Sequence, residues 1–183
     1  MAELIIGGAR SGKSTLAEQR ARDSGASVVY VATARLEDGD MAERIAHHRA
    51  RRPPNWATVE EPLALASALP RLAAPGTCIV VDCLTLWLSN LFFAGRGATQ
   101  AEAGAALDCP LLRGAVTDLV EVLPRLPGRV LLVTNELGWG VVPENRLARL
   151  FADEQGRLNQ RVAAVSQRVT LTVAGLPLEL KGA

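Results

Sequence analysis

Residues 3–15 read ELIIGGARSGKST, an apolar run that ends in glycine and leads into the pattern Gly-x4-Gly-Lys-Ser, at Gly7, Gly12, Lys13 and Ser14. Glycine lets successive backbone N–H groups turn toward phosphate oxygens, a conformation that side chains would obstruct. Lys13 then reaches the β- and γ-phosphates, and the Ser14 hydroxyl suits Mg²⁺. The segment that follows is rich in helix formers, so the phosphates would face the positive end of a helix dipole. The stretch predicts a strand, a phosphate-binding loop and a helix; the alternative is a chance match in a glycine-containing turn.

Composition favours one compact α/β domain over residues 1–183. The chain has 183 residues, 49% of them hydrophobic, and its 20 basic and 19 acidic side chains nearly cancel. A domain of this size buries a substantial core, and the balanced charge gives no field that would attract nucleic acid or an anionic membrane. We therefore expect a partner that is a small molecule and not a nucleic acid.

Cysteine usage and the apolar runs indicate a cytoplasmic protein. Cys78, Cys83 and Cys109 are an odd set without the spacing of metal ligands, so neither a disulfide framework nor a zinc site is expected. Residues 1–6 lack a basic lead and are too short for a signal peptide, and no apolar run reaches the length of a membrane span.

Two further strands are predicted to end close to the phosphate loop. Residues 27–32 form a β-branched run that closes at Thr33 and Ala34, and residues 78–82 form a second run that closes at Asp82. Ligands gather at the carboxyl ends of parallel strands, so Thr33 is a candidate nucleotide contact, with an ordinary strand-to-loop transition as the alternative. Asp82 is the candidate for holding Mg²⁺ directly or through water; the alternative is an aspartate that caps the next helix.

The two histidines of the chain lie in a predicted helix over residues 38–52. At about 100° per residue, His48 falls on one stripe with Met41 and Ile45, whereas His47 falls among charged side chains on the polar side. A histidine on an apolar stripe is typical of packing. His47 is a candidate nucleophile toward a phosphate ester, since neutral imidazole is abundant near neutral pH; a solvated surface histidine is the alternative.

The remaining elements complete the sheet. Helices are predicted over 62–72, 84–93, 111–123 and 144–167, the last interrupted near Gly156, and strands over 55–60, 129–134, 169–173 and 178–180. We interpret Trp87 and Phe92 as core residues. The final two strands are close enough in sequence for a hairpin, which would place one antiparallel edge strand on a parallel sheet.

The loop after residue 134 carries a further candidate. Paired glycines around Trp139 indicate a mobile loop over a substrate, and Glu136 is a candidate general base or metal-shell acid. A loop carboxylate without a catalytic part is the alternative.

These segments together resemble the bifunctional adenosylcobinamide kinase/adenosylcobinamide-phosphate guanylyltransferase family. The resemblance spans nearly the whole chain, and its motifs are GGARSGKS at 7–14, YVAT at 30–33, MAERIAHHRARRP at 41–53, Trp56, VTNELGWGVVPENR at 133–146 and GRLNQR at 156–161. A phosphate loop alone is shared by many unrelated enzymes. Its combination with the His-His segment and the Val-Thr-Asn-Glu stretch is specific.

The resemblance implies two reactions at one nucleotide site, with ATP and GTP as substrates and Mg²⁺ as cofactor. First, the γ-phosphoryl group passes to the hydroxyl on the aminopropanol arm of adenosylcobinamide. Second, His47 attacks the α-phosphorus of GTP and releases pyrophosphate, and adenosylcobinamide phosphate then takes the GMP from the histidine. The implied fold is a single P-loop NTPase domain with a mainly parallel sheet, like that of recombinase-type ATPases, assembled as a homotrimer.

The resemblance also implies roles residue by residue. His47 carries GMP and Lys13 acts on the phosphates. Mg²⁺ would be held by Ser14 and Asp82, although relatives with glutamate at the latter position leave open whether the shorter side chain touches metal, guanosine or neither. The implied nucleotide contacts are Gly7, Gly8, Ala9, Arg10, Ser11, Gly12, Lys13, Ser14, Ala32, Thr33, Ala34, His48, Arg49, Ala50, Arg51, Glu60 and Asp82.

Two other functions remain as alternatives. One is a phosphate-loop small-molecule kinase without guanylyl transfer, which differs from the first by the absence of a reactive histidine. The other is a nucleotide-driven switch ATPase, which would need no cobinamide.

Overall fold

A computed structural model describes residues 1–34 and 53–182. Within these ranges the chain forms a seven-stranded sheet with the order β3-β2-β4-β5-β1-β6-β7. The strands are β1 (Ala2–Gly7), β2 (Ser27–Ala32), β3 (Ala57–Glu60), β4 (Thr77–Asp82), β5 (Arg129–Asn135), β6 (Arg168–Val173) and β7 (Leu176–Lys181). Only the β6–β7 pair of this sheet is antiparallel. The predicted parallel sheet with an antiparallel edge strand is therefore confirmed.

Helices cover both faces of the sheet. They are α1 (Lys13–Asp23), α2 (Leu65–Leu72), α3 (Leu84–Ala94), α4 (Gly97–Glu102), α5 (Pro110–Val122), a 3-10 turn (Leu123–Arg125) and α6 (Arg146–Val165). None of the helices in the described part of the chain is long and apolar enough to cross a membrane.

Alternate residues of each strand supply two separate cores, because successive side chains point to opposite faces. On one face Ile5 of β1 packs with Ala17 and Ala21 of α1. On the other, Leu4 belongs to a larger core shared with helices α2, α3, α5 and α6. Burial on both faces explains why the central strands read as continuous apolar runs. Trp87 and Phe92 are fully buried, as predicted.

Several predicted boundaries are corrected. The helix predicted from residue 62 begins at Leu65, and the structure contains a short helix, α4, where the sequence predicted none. The predicted interruption near Gly156 is wrong, because α6 runs without a break from Arg146 to Val165. A glycine inside a helix costs only about 1 kcal/mol relative to alanine, and Leu158 and Val162 of the same helix are buried in the core.

The β6–β7 hairpin is tighter than the sequence indicates. Its turn consists of Ala174 and Gly175 alone, with φ angles of 51° and 81°. Two positive φ angles match the primed turns that fit the twist of two-residue hairpins. The predicted helix over 38–52 lies outside the described residues, as do His47, His48, Arg49, Ala50 and Arg51.

Candidate phosphate-binding site

The phosphate loop, defined here as residues 7–12, connects β1 to α1 at the carboxyl edge of the sheet. Arg10 and Gly12 have φ angles of 56° and 98°, and Gly12 is the N-cap of α1. A Cβ atom on Gly7 would lie 2.5 Å from both Thr172 O and Ser11 Oγ. Left-handed residues of this kind turn consecutive N–H groups toward a common point, which forms an anion-binding nest at the start of a helix.

Neighbouring strands brace this loop from two sides. The Gly175 N–H donates to Ser11 O at 2.8 Å, and the Glu136 N–H donates to Gly7 O at 3.0 Å. A Cβ on Gly12 would lie 3.0 Å from Gly175 Cα, so the β6–β7 turn packs against the loop backbone. Sequence reasoning missed this role of Gly175; its only sequence signal is a glycine in a short link between two strands.

Lys13 lies beneath the loop and is nearly buried. Its Nζ donates to Gly8 O at 2.9 Å. Burial lowers the pKa of Lys13, while the nearby Asp82 carboxylate acts in the opposite direction. Burial also raises the pKa of Cys83 to about 12, so that thiol stays neutral. The effect of Asp82 on the pKa of Lys13 indicates that the Lys13 ammonium and the Asp82 carboxylate are close enough to interact.

A tyrosine orients Asp82. Tyr30, almost fully buried in β2, donates its hydroxyl hydrogen to Asp82 Oδ2 at 2.7 Å. The N-cap of α3 is Cys83, and no side chain caps that helix. The structure thus does not support the helix-capping alternative for Asp82. Sequence reasoning missed Tyr30, although its place in the strand beside β4 follows from the parallel pairing.

Thr33 joins the ends of β2 and β4 instead of pointing outward. Its fully buried hydroxyl donates to Cys83 O at 2.7 Å and accepts from Cys83 N–H at 2.9 Å. Both hydrogen bonds lie inside the fold. Ala32 and Ala34 on either side are half-buried at the sheet edge. A nucleotide contact in this segment would therefore be made through the backbone or these neighbours.

Glu60 lies at the far edge of the sheet. It is exposed at the end of β3 and pairs in register with Ala32 of β2. Four inter-strand steps separate β3 from β1, which amounts to roughly 19 Å at about 4.8 Å a step. Asp82 on β4 is two steps from β1. The structure thus places Asp82 near the phosphate loop. It places Glu60 farther away, on the edge strand β3.

The residues near the loop fit Mg²⁺ with bound phosphate. Mg²⁺ in such sites takes one or two carboxylates, phosphate oxygens and several waters, not a cage of protein ligands. Within residues 1–34 and 53–182 no group of three or more His, Cys, Asp or Glu side chains converges on a metal position. Ser11 Oγ is buried with no hydrogen-bond partner in the described structure, and it suits a phosphate oxygen.

A buried polar cluster fixes the end of β5 next to the loop. Asn159 Nδ2 donates to Asn135 O at 2.9 Å, and the Thr134 hydroxyl donates to Asn159 Oδ1 at 2.8 Å. Gln155 Nε2 donates to both Thr134 Oγ1 and Asn159 Oδ1. Because buried polar groups are costly when unpaired, this cluster favours one position for the segment that starts at Glu136. The Glu136 carboxylate accepts from the Gly138 N–H at 2.7 Å.

The sequence is similar to known proteins over nearly its whole length. The chain is 53% identical over 182 residues to the bifunctional adenosylcobalamin biosynthesis protein CobP of Pseudomonas aeruginosa, with 100% of this chain and 98% of the relative covered. It is 42% identical over 182 residues to the bifunctional adenosylcobalamin biosynthesis protein CobU of Salmonella typhimurium, with 97% of this chain and 98% of the relative covered.

Among solved structures, an ATPase from the type III secretion system of pathogenic bacteria has a TM-score of 0.56 at 14% identity, covering 97% of this chain and 56% of that chain. Similarity at this identity shows the fold alone. The family described as "Cobinamide kinase / cobinamide phosphate guanyltransferase" matches residues 3–180. The chain belongs to this cobinamide kinase/cobinamide phosphate guanyltransferase family.

Proposed function

We propose that this chain phosphorylates adenosylcobinamide with ATP or GTP and then transfers GMP from GTP to the product through His47. The braced phosphate loop, with Lys13 below it, carries this proposal, and membership of the family over residues 3–180 supplies the substrate class. A soluble nucleotide and a cobinamide are the partners that these features favour.

The kinase step depends on positioning and charge. Phosphoryl transfer needs little covalent chemistry from the protein, so holding the phosphates and stabilising their negative charge accounts for most of the catalysis. The loop N–H groups and the Lys13 ammonium would do this, and the low exposure of Lys13 strengthens its attraction for phosphate. Mg²⁺, when bound, would neutralise charge between the β- and γ-phosphates, with Ser14 and Asp82 as its residues.

Tyr30 and Asp82 would act as a unit in that step. A hydrogen bond to one carboxylate oxygen fixes the direction of the other. Outer partners of this kind orient metal ligands. Tyr30 is therefore a positioning residue for the metal side of the site.

The guanylyl step would use His47 as a covalent carrier. An imidazole nitrogen forms a bond to the α-phosphorus of GTP while the bond to pyrophosphate breaks. An oxygen of the cobinamide phosphate then forms the new bond to phosphorus, and the P–N bond breaks to restore imidazole. The P–N linkage keeps the GMP group activated between the two displacements.

GTP labelled at the α-phosphate tests the carrier directly. The protein should form an acid-labile, alkali-stable labelled adduct. We expect a His47→Asn variant to lose the adduct while retaining some kinase activity. A His48→Asn variant, which removes an implied nucleotide contact but keeps His47, should still form the adduct even where weaker nucleotide binding slows it. An unchanged adduct in the His47 variant would refute the assignment. A wild-type protein that forms no adduct but phosphorylates cobinamide would be a monofunctional kinase.

We also propose the homotrimer that the family resemblance implies. On β7 the side chains of Leu176, Leu178 and Leu180 alternate along an exposed edge strand. Long apolar edge strands are normally covered, since they otherwise invite aggregation. Light scattering of the purified protein should give three times the mass of one chain, and a monomer would contradict this assembly.

A further inference from the structure

The segment between β5 and α6 exposes an apolar surface beside the phosphate loop. This Trp139 loop, residues 136–145, contains four exposed large apolar side chains: Leu137 (41%), Trp139 (73%), Val141 (96%) and Val142 (72%). Residues 137–142 read LGWGVV and contain no charge. A cluster of exposed apolar residues in one place marks a binding site more often than chance.

The loop is held at both ends. At its start, the Glu136 N–H donates to Gly7 O, and the Glu136 carboxylate accepts from the Gly138 N–H. At its end, the Asn145 side chain caps α6 by accepting from the Ala148 N–H at 3.1 Å, and Arg149 donates to Pro143 O at 2.7 Å. The apolar side chains in between are thus presented from a fixed base.

This base lies at the phosphate loop itself. Trp139 is three residues beyond Glu136, so their Cα atoms are at most about 11 Å apart. Glu136 is hydrogen-bonded to Gly7, the first residue of the phosphate loop. A phosphoryl acceptor must bring its hydroxyl to the γ-phosphate, and the bulk of a large acceptor must then lie beside the cradle. The Trp139 loop is one exposed apolar surface of the described chain that leaves from that position; the other is β7, whose exposed leucines are assigned above to contact between subunits.

We propose that the Trp139 loop binds the corrin macrocycle of cobinamide, with the Trp139 indole packed against the methyl-bearing periphery of the ring. This inference rests on the proposed function and names the second substrate's subsite. The corrin periphery carries methyl groups between its amide side chains, and tryptophan supplies a large apolar area with few rotatable bonds. The uncharged segment 137–142 suits that ligand and not a nucleotide, whose phosphates require donors and positive charge.

Kinetics of three variants test the subsite. Trp139→Ala should raise the KM for cobinamide about tenfold, the scale of losing one stacking contact. Trp139→Phe, which keeps an aromatic face, should raise it by only about two- to threefold. The KM for nucleotide and the kcat at saturating cobinamide should stay the same in both variants. Phe93→Ala is the matched control, because Phe93 is an aromatic residue 62% exposed in the last turn of α3 and should change neither KM.

The outcomes separate this subsite from the proposed function. An unchanged KM for cobinamide in Trp139→Ala, with active wild-type protein, overturns the subsite alone. A lower oligomeric mass in that variant, measured by light scattering, would assign the loop to a contact between subunits and also overturns it. Should wild-type protein not phosphorylate cobinamide, the proposed kinase function fails. Equilibrium dialysis of cobinamide against wild type and Trp139→Ala then still tests the loop, with about tenfold weaker binding by the variant expected and equal binding contradicting it.

Discussion

Two loops leave neighbouring strands at the same edge of the sheet, and they are built in opposite ways. The phosphate loop after β1 is braced by hydrogen bonds from Gly175 and Glu136, and left-handed residues fix its backbone. The Trp139 loop after β5 is fixed only at its ends and exposes its side chains. The first presents backbone and the second presents side chains.

The contrast follows from what each loop is proposed to bind. Backbone N–H groups recognise phosphate only when their directions are fixed, so the polypeptide around them must be rigid. The apolar part of a ligand is recognised by area, which needs no fixed set of donors. We therefore expect backbone substitutions to matter in the phosphate loop and side-chain substitutions to matter in the Trp139 loop.

Adding one methyl group to each loop tests this contrast with the largest expected effect. Gly7→Ala places a Cβ 2.5 Å from Thr172 O, whereas a Cβ on Gly140 has no atom within 4 Å. We expect Gly7→Ala to destabilise the fold by about 2 kcal/mol through overpacking and to lower kcat/KM for nucleotide by about 100-fold through misplacement. Gly140→Ala should change stability by less than about 0.5 kcal/mol. Chemical denaturation measures the stability of each variant, and steady-state kinetics measures its kcat/KM. Similar effects in the two variants would contradict the proposed difference between the two loops.

Removing the hydroxyl of Tyr30 should affect the metal and nucleotide part of the site but not the binding of cobinamide. Tyr30→Phe keeps the buried ring but removes the donor to Asp82. We expect about tenfold lower kcat and a higher Mg²⁺ concentration at half-maximal rate, which is typical of losing a residue that orients a metal ligand. The KM for cobinamide should not change. A variant with the Mg²⁺ dependence of wild type would show that Tyr30 does not position a metal ligand.

Glu179, which anchors the β6–β7 hairpin, should have a smaller effect on stability, and this effect should depend on pH. Glu179 of β7 accepts from Thr170 Oγ1 at 2.9 Å and from Arg20 of α1. Burial raises the pKa of Glu179, but the hydrogen bonds from Thr170 and Arg20 outweigh it, so the pKa is lowered. The charged form therefore stabilises the fold above the ordinary glutamate pKa, and this contribution is lost as pH falls through the lowered value.

Glu179→Gln should accordingly destabilise the protein by about 1 kcal/mol near neutral pH. The difference from wild type should vanish in strong acid, where the carboxylate of wild type is protonated too. Thermal unfolding of both proteins across the acid range measures it. A difference that is independent of pH would show that the charge of Glu179 does not anchor the hairpin.

Sequence reasoning reached the features that are local or that follow from strand order. The phosphate loop is read from contiguous residues, and Asp82 is read from the end of a buried strand. The apolar strands are evident because both faces of the sheet are covered. The bracing by Gly175 was not predictable, since it joins residues more than 160 positions apart through a hairpin whose turn type the sequence left open.

Contacts between side chains on different strands could not be predicted from the sequence either. Tyr30 meets Asp82 only because β2 and β4 are neighbours in a particular register. Thr33 lies at the predicted edge, but the direction of its hydroxyl depends on the backbone of Cys83. The continuity of α6 through Gly156 depends on packing, which overrides helix propensity. The role of His47 stays a prediction from sequence and family.

The central claim is that one phosphate cradle serves both transfers, and Lys13→Ala tests it most directly. With GTP labelled at the γ-phosphate in one assay and at the α-phosphate in another, we expect the variant to lose label transfer to cobinamide and label transfer to His47 together, each by about 1,000-fold, the upper scale for removing one charge-stabilising donor. Loss of γ-phosphoryl transfer with an α-phosphate adduct that forms at the wild-type rate would contradict the single cradle.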